Sequence, residues 1–202
     1  MSSSQKPFVL ASASPRRRQL LEGLGLAFQV VHPDEAVEAG LAVDGLAASL
    51  VPLALARAKT LSVASELPGQ LVVGADTVVV EGDTILGKPV DDREATAMIA
   101  RLAGRQHQVI TAVAACLDER VEARVETTQV FFRPLASAEI AHYVRSGEGR
   151  DKAGAYGIQG LGSLLVDRIE GCYFNVVGLP LVALMNLLRE FDLDLLEAAC
   201  SV

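Results

Sequence analysis

Phe8-Val9-Leu10-Ala11-Ser12-Ala13-Ser14-Pro15-Arg16-Arg17-Arg18 is the stretch on which the fold class turns. Four apolar residues read as a short buried strand, and Ser12 to Ser14 as the loop after it. Pro15 suits the first position of a helix to about Leu24, with Ser14 as N-cap. Ala27 to Val31 reads as a second strand, followed by a Gly- and acid-bearing loop from His32 to Gly45. Pro52 opens a helix that carries Arg57 and Lys59 and ends before Pro68. Beyond it, Gln70–Val73 and Val78–Val80 are strand material interrupted by Gly74-Ala75-Asp76-Thr77, and Glu81-Gly82-Asp83 is a turn signal.

Farther out, Asp91 or Asp92 caps a helix from about Arg93 to Leu102, closed by Gly104. His107–Leu117 and Val121–Phe132 form a hairpin joined at Asp118-Glu119-Arg120. Ser137 caps a helix to about Arg145, a Gly-rich loop fills Ser146 to Gly162, and Ser163–Ile169 reads as a strand. Pro180 opens a last helix to about Phe191, and residues 192–202 are expected as a flexible tail. Strands and helices alternate without a repeated βαβ unit. The expected fold is therefore a mixed, twisted α/β sheet with helices on both sides.

Composition narrows the function. The chain has 202 residues, 50% of them hydrophobic and 4% aromatic, so its core rests on Val, Leu, Ile and Ala. A formal net charge of −7 argues against binding a nucleic acid polymer, though not against a small anion in a local basic cluster. Cys116, Cys172 and Cys200 are few and scattered, without zinc or disulfide spacing, which fits a reducing, cytoplasmic setting. Met1 to Lys6 lacks the apolar core of a signal peptide, and no apolar run is long enough to span a bilayer.

Four segments carry chemistry. Arginines in the first turn of a helix oppose its dipole, a penalty of roughly 0.3–1 kcal/mol each that an anion reverses. Ser hydroxyls, free N–H groups and guanidinium forks suit a polyphosphate there. Asp76, inside an apolar run, has to be paired, metal-bound or at a cleft, because an isolated buried carboxylate is too costly; it could orient or deprotonate a water, bind a metal, or both. In Leu86-Gly87-Lys88-Pro89 the proline biases Lys88 toward extended backbone, from which it could reach a phosphate. Asp151-Lys152-Ala153-Gly154-Ala155-Tyr156-Gly157-Ile158-Gln159-Gly160 suggests backbone shaped around a flat ligand, and the Gln159 amide matches the N3–H and a carbonyl of uracil or thymine. His32, His107 and His142 lack metal-ligand spacing, and His107 reads as structural. Neither a P-loop nor a dinucleotide fingerprint is present. Any metal should be a hard, oxygen-bound ion such as Mg²⁺ or Mn²⁺.

In combination, LASASPRRRQLL (10–21), VGADT (73–77), LGKP (86–89), HQVITA (107–112), DKAGAYGIQG (151–160) and VGLPL (177–181) resemble the Maf family of nucleotide pyrophosphatases, in family order across nearly the whole chain. The resemblance implies one domain over 1–202, with two lobes around a cleft as in inosine triphosphatase. It implies cleavage between the α- and β-phosphates, with Asp76 as catalytic base and Ser12, Arg16, Arg17, Lys59 and Lys88 at the phosphates. Arg16, Thr77 and Gln159 match specificity positions, and GAYGIQG resembles the branch acting on dTTP and UTP, an expectation that extends to modified pyrimidine nucleotides. An acidic pair that the family places after its second strand fits here only with a shift. Glu38 is the preferred equivalent and Glu35 the alternative, with Asp76 and Glu38 as metal ligands. A homodimer is left open, and a nucleotide-binding regulator of septum formation that acts without turnover is the rival reading.

Overall fold

The computed structural model describes residues 8–43 and 45–200, apart from the side chains of Glu35 and Ala39. The polar start at Met1 to Lys6 lies outside the described residues. In chain order the elements are β1 (Phe8–Ala11), α1 (Pro15–Glu22), β2 (Phe28–Val31), α2 (Glu35–Ala39), α3 (Val51–Ala64), β3 (Val72–Glu81), β4 (Thr84–Leu86) and α4 (Asp92–Leu102). They continue with β5 (Gln106–Leu117), β6 (Arg120–Phe132), α5 (Ser137–Arg145), β7 (Val166–Glu170), α6 (Tyr173–Val177), α7 (Leu181–Arg189) and α8 (Leu195–Cys200).

The seven strands form one mixed sheet in the order β2-β1-β3-β5-β6-β7, with β4 hydrogen-bonded to β3. β1 lies parallel to β2 and β3, and the remaining pairs are antiparallel. Because β1 is covered on both faces, it reads as an unbroken apolar run rather than an alternating one. Leu10, Val73 and Val113 meet Leu21 of α1 and Leu184, Leu187 and Leu188 of α7. On the opposite face Val9, Ala11 and Val72 meet Val63 of α3. Helices therefore flank both faces, as the sequence pattern implied.

The chain is wound so that β1 has β2 on one side and β3 on the other. That reversal opens a crevice at the carboxyl end of β1, the usual place for a ligand in an α/β sheet. The last β1–β3 pair is Ala11↔Gly74, whereas β3 runs on to Glu81. Residues Ala75 to Val78 thus form an edge uncovered by β1. A second core, built on Val79, Ile99, Leu102, Val109, Phe132 and Ile140, lies farther along the same long strands. β3 and β5 pass from one core to the other, and the cleft lies where they cross.

Four expectations need correction. β3 is not interrupted at Gly74-Ala75-Asp76-Thr77; β5 pairs through it, with Asp76 opposite Ala112 and Thr77 opposite Thr111. Ser14 occupies the N-cap position of α1 but makes no side-chain cap; its N–H instead donates to Ser12 Oγ at 3.1 Å. The strand expected over Ser163–Ile169 begins only at Val166, because residues 160–164 coil into a 3-10 turn. Ser137 is the first residue of α5 rather than its cap, and Glu139 Oε2 accepts the Ala136 N–H at 2.8 Å. Within the expected tail, residues 195–200 form α8. Asp194 Oδ1 accepts the Leu196 N–H at 2.8 Å, starting α8, and Leu193 and Leu195 are buried against the first core.

Candidate active site

Gly74 decides how near the first cationic side chain can come. A Cβ there would lie 2.3 Å from Thr60 Oγ1 and 3.3 Å from the Ala56 carbonyl, so only a glycine lets α3 lie this close to β3. Ala56 of α3 meets Ala112 and Ala114 of β5 in the same way, small residue against small residue. This short separation brings Lys59 Nζ to 2.6 Å from Asp76 Oδ1. Lys59 also lies 2.6 Å from Glu38 Oε1, so one buried ammonium joins carboxylates from α2 and β3. Glu38, the preferred acidic residue of this loop, is therefore at the site; the Glu35 side chain lies outside the described residues.

Burial pushes the Asp76 carboxyl above the ordinary aspartate range, against the pull of Lys59 and Arg17. Glu38 goes the other way. Its partial burial opposes ionisation, but Lys59, with Lys88 and Arg17 behind it, holds the carboxyl below its ordinary value.

Arg17, expected at the phosphates, is held by hydrogen bonds within the site. Its Nε donates to the Gly178 carbonyl at 2.7 Å, Nη1 to the Ala75 carbonyl at 2.8 Å and Ser12 Oγ at 3.3 Å, and Nη2 to Thr77 Oγ1 at 3.1 Å. The guanidinium lines the cleft but is committed to protein acceptors on both sides of Asp76, including a carbonyl of the edge that β1 leaves uncovered. Burial lowers its pKa, with Asp76 opposing that shift. Thr77 is tied in turn to Thr111 at 2.9 Å, and Thr111 donates to the carbonyl of the fully buried Asn175 at 3.0 Å.

Arg16, next along α1, faces across the cleft to Asp151 at 3.3 Å. Lys88 follows β4 and is exposed, and among the described residues it has no ion-pair partner. Arg18 points away from the cleft and pairs with Glu22 at 2.7 Å. Of the three arginines of one turn, two thus line the cleft, one of them hydrogen-bonded across it to protein acceptors, and the third goes to the surface.

At the other end of the cleft the loop 148–162 is shaped by close backbone approach. A Cβ at Gly162 would lie 1.9 Å from the Gly157 carbonyl, and one at Gly149 would lie 1.9 Å from that of Ala155. Glu148 accepts the N–H groups of Leu161 at 2.8 Å and Gly162 at 2.7 Å. Tyr156 is anchored by its hydroxyl to His107 Nε2 at 2.6 Å, inside a cluster with Phe132. Burial depresses the His107 pKa to about 4, so the ring is neutral near pH 7. Gln159 is exposed and its side chain has no hydrogen-bond partner among the described residues.

These features line one cleft of about 930 Å³. It holds all nine residues expected at the site: Ser12, Arg16, Arg17, Glu38, Lys59, Asp76, Thr77, Lys88 and Gln159. Val79, Val109, Ile158 and Val177 supply apolar walls beside the charged groups. Sequence reasoning missed the partner roles of Asp151, Glu148 and Gly178. Asp151 stood inside a quoted motif, but nothing marked Glu148, whose partners are backbone groups distant in sequence.

No group of three or more His, Cys, Asp or Glu side chains is arranged to hold a metal among the described residues. The pair Asp76 and Glu38 nevertheless suits a hard divalent ion, which commonly takes one or two carboxylates and completes its shell from phosphates and water. Among the described residues, no helix is long and apolar enough to cross a membrane.

The Maf-like protein family matches residues 7–191. A dTTP/UTP pyrophosphatase of Deinococcus radiodurans is 44% identical over 181 residues, covering 90% of this chain and 91% of that one. Another, from Geobacillus sp. (strain WCH70), is 49% identical over 178 residues, covering 87% and 93%. Among solved structures, the Staphylococcus aureus Ham1 protein is similar at a TM-score of 0.49 and 14% identity, over 92% of this chain and 97% of that one.

Proposed function

The chain belongs to the Maf family, and from that premise we propose that it hydrolyses dTTP and UTP to the nucleoside monophosphate and pyrophosphate. The observation that carries this reading is the convergence of Ser12, Arg16, Lys59, Lys88 and the buried Asp76 on one cleft with Gln159. A nucleotide fits a cleft of this volume lined by both charged groups and apolar walls.

Chemistry at the charged end follows from electrostatics. Asp76 accepts a proton from a water as that water's oxygen bonds to the α-phosphorus. The bond from the α-phosphorus to the α,β-bridging oxygen breaks, and pyrophosphate leaves. Burial favours this role by moving the carboxyl's affinity for a proton toward neutrality. Lys59, Lys88 and Arg16 counter the negative charge that grows on the leaving group, which is where phosphoryl chemistry gains most of its rate. Arg17 keeps Ala75 and Thr77 in place around the base. A Mg²⁺ or Mn²⁺ ion held by Asp76 and Glu38 would polarise the phosphate oxygens as a Lewis acid.

Gln159 offers a donor and an acceptor to the N3–H and a carbonyl of uracil or thymine, a pattern that modified pyrimidines retain. A reducing, cytoplasmic setting goes with this reading, as the few, widely spaced cysteines suggest. A division regulator acting without turnover would not need a carboxylate buried beside cations, and Asp76 favours the enzyme. Pyrophosphate release from dTTP and UTP, with and without Mg²⁺, tests the proposal. Wild-type chain that binds these nucleotides yet releases none would sink it.

A further inference from the structure

We propose that Lys59 is a built-in counter-ion that occupies the place of a divalent cation between Asp76 and Glu38, so that the chain accepts the cation only together with nucleotide. This rests on the pyrophosphatase reading of the cleft. A single Nζ stands 2.6 Å from Asp76 Oδ1 and 2.6 Å from Glu38 Oε1, and Lys59 is only 7% exposed. Without an ammonium there, Asp76 would be a buried carboxylate facing a second one, an arrangement that proteins avoid. Preorganisation of the two acids in the nucleotide-free chain is therefore the work of Lys59.

The same geometry sets up a competition. A hard cation and the ammonium need the same two carboxylates, and the two like charges cannot share them at this spacing. α3 cannot retreat to make room without losing its close contact with β3 at Gly74. The exchange has to come from the flexible Lys59 side chain. A polyphosphate supplies what it requires: anionic oxygens for the ammonium to turn to, and further oxygens to complete the shell of the incoming ion. Lys59 thus passes from carboxylates to phosphate as the nucleotide arrives, and the accepted substrate is the metal–nucleotide complex. An apo-enzyme already loaded with metal is not on the route.

The test is equilibrium dialysis of Mn²⁺ against the full chain, read by the electron paramagnetic resonance of free Mn²⁺. Wild type is expected to bind Mn²⁺ at least about ten-fold more weakly alone than with α,β-methylene-UTP, after subtraction of Mn²⁺ held by the analogue itself. Lys59→Met, without nucleotide, should bind Mn²⁺ at least about ten-fold more tightly than wild type without nucleotide, because it frees both carboxylates. Equal wild-type affinity with and without the analogue overturns the proposal, and so does a Lys59→Met chain that gains nothing. If that variant does not fold, the two wild-type titrations decide alone. Hydrolysis of UTP in the same preparation separates the two levels: turnover with the wrong Mn²⁺ pattern removes only the role of Lys59, whereas no turnover removes the underlying reading.

Discussion

The charged part of the cleft and the loop 148–162 are held by different mixtures of contacts. At the charged end, side chains from α1, α2, α3 and β3 meet through ion pairs and hydrogen bonds, with one ammonium serving two carboxylates. At the base end, the loop 148–162 is held by backbone passing so close to backbone that no Cβ fits at Gly149 or Gly162, and by a tyrosine pinned to a buried histidine. Salt links can exchange partners without breaking the fold, whereas steric contact cannot. On the proposed function, phosphate binding falls where rearrangement costs little, and base recognition where the backbone is closely packed.

Four experiments would break or sharpen that contrast. The largest effect is expected for Asp76→Asn, which keeps the shape but removes the proton acceptor. Turnover should fall by about 10³-fold, roughly 4 kcal/mol, with nucleotide binding retained. In wild type, because burial raises the Asp76 pKa, kcat should decline on acidification at a pH above that of an ordinary aspartate. Near-normal pyrophosphate release by the variant would show that the carboxylate is not the base.

Next comes the rigid end and its histidine. His107 is neutral in the folded chain down to about pH 4 but protonates near 6.5 when unfolded. Its contribution to stability is whole above pH 6.5 and is lost as the pH falls toward 4, by about 3 kcal/mol. Urea melts of His107→Gln should show a flatter dependence across that window. An unchanged slope would mean that the ring is not the buried, neutral anchor described here.

A methyl group at Gly162 would meet the Gly157 carbonyl at 1.9 Å and Glu148 Oε1 at 3.2 Å. Gly162→Ala should cost about 1–3 kcal/mol of overpacking and raise KM for UTP more than it lowers kcat. If kcat falls while KM holds, the two ends are mechanically coupled and the contrast between them fails. The smallest effect belongs to Gln159→Ala, about ten-fold, or 1.4 kcal/mol, in the preference for UTP over 7-methyl-GTP, read from kcat/KM for each. An unchanged ranking would move base choice elsewhere.

Much of this was legible in one dimension, and for identifiable reasons. The strand, Ser loop and proline-led helix at residues 8–18 follow from local preferences, as does the hairpin turn at Asp118, where φ is 52°. Asp76 stood out because a carboxylate inside an apolar run demands an explanation. The same logic failed at Gly74-Ala75-Asp76-Thr77, read as a break in the strand. A residue's own propensity cannot report that β5 pairs straight through it.

Residue identity and spacing alone thus determined an alternating α/β chain, its cationic and acidic segments, the glycine-shaped loop with Gln159, and the family resemblance, because each resides in short runs of neighbours. Only the folded chain decided which arginines line the cleft and which goes to solvent. It also chose Glu38 as the partner of Lys59 and placed Glu148 under the loop. Those outcomes depend on distances between residues far apart in sequence, such as the close approach of α3 to β3 over Gly74, and no local pattern encodes a distance of that kind.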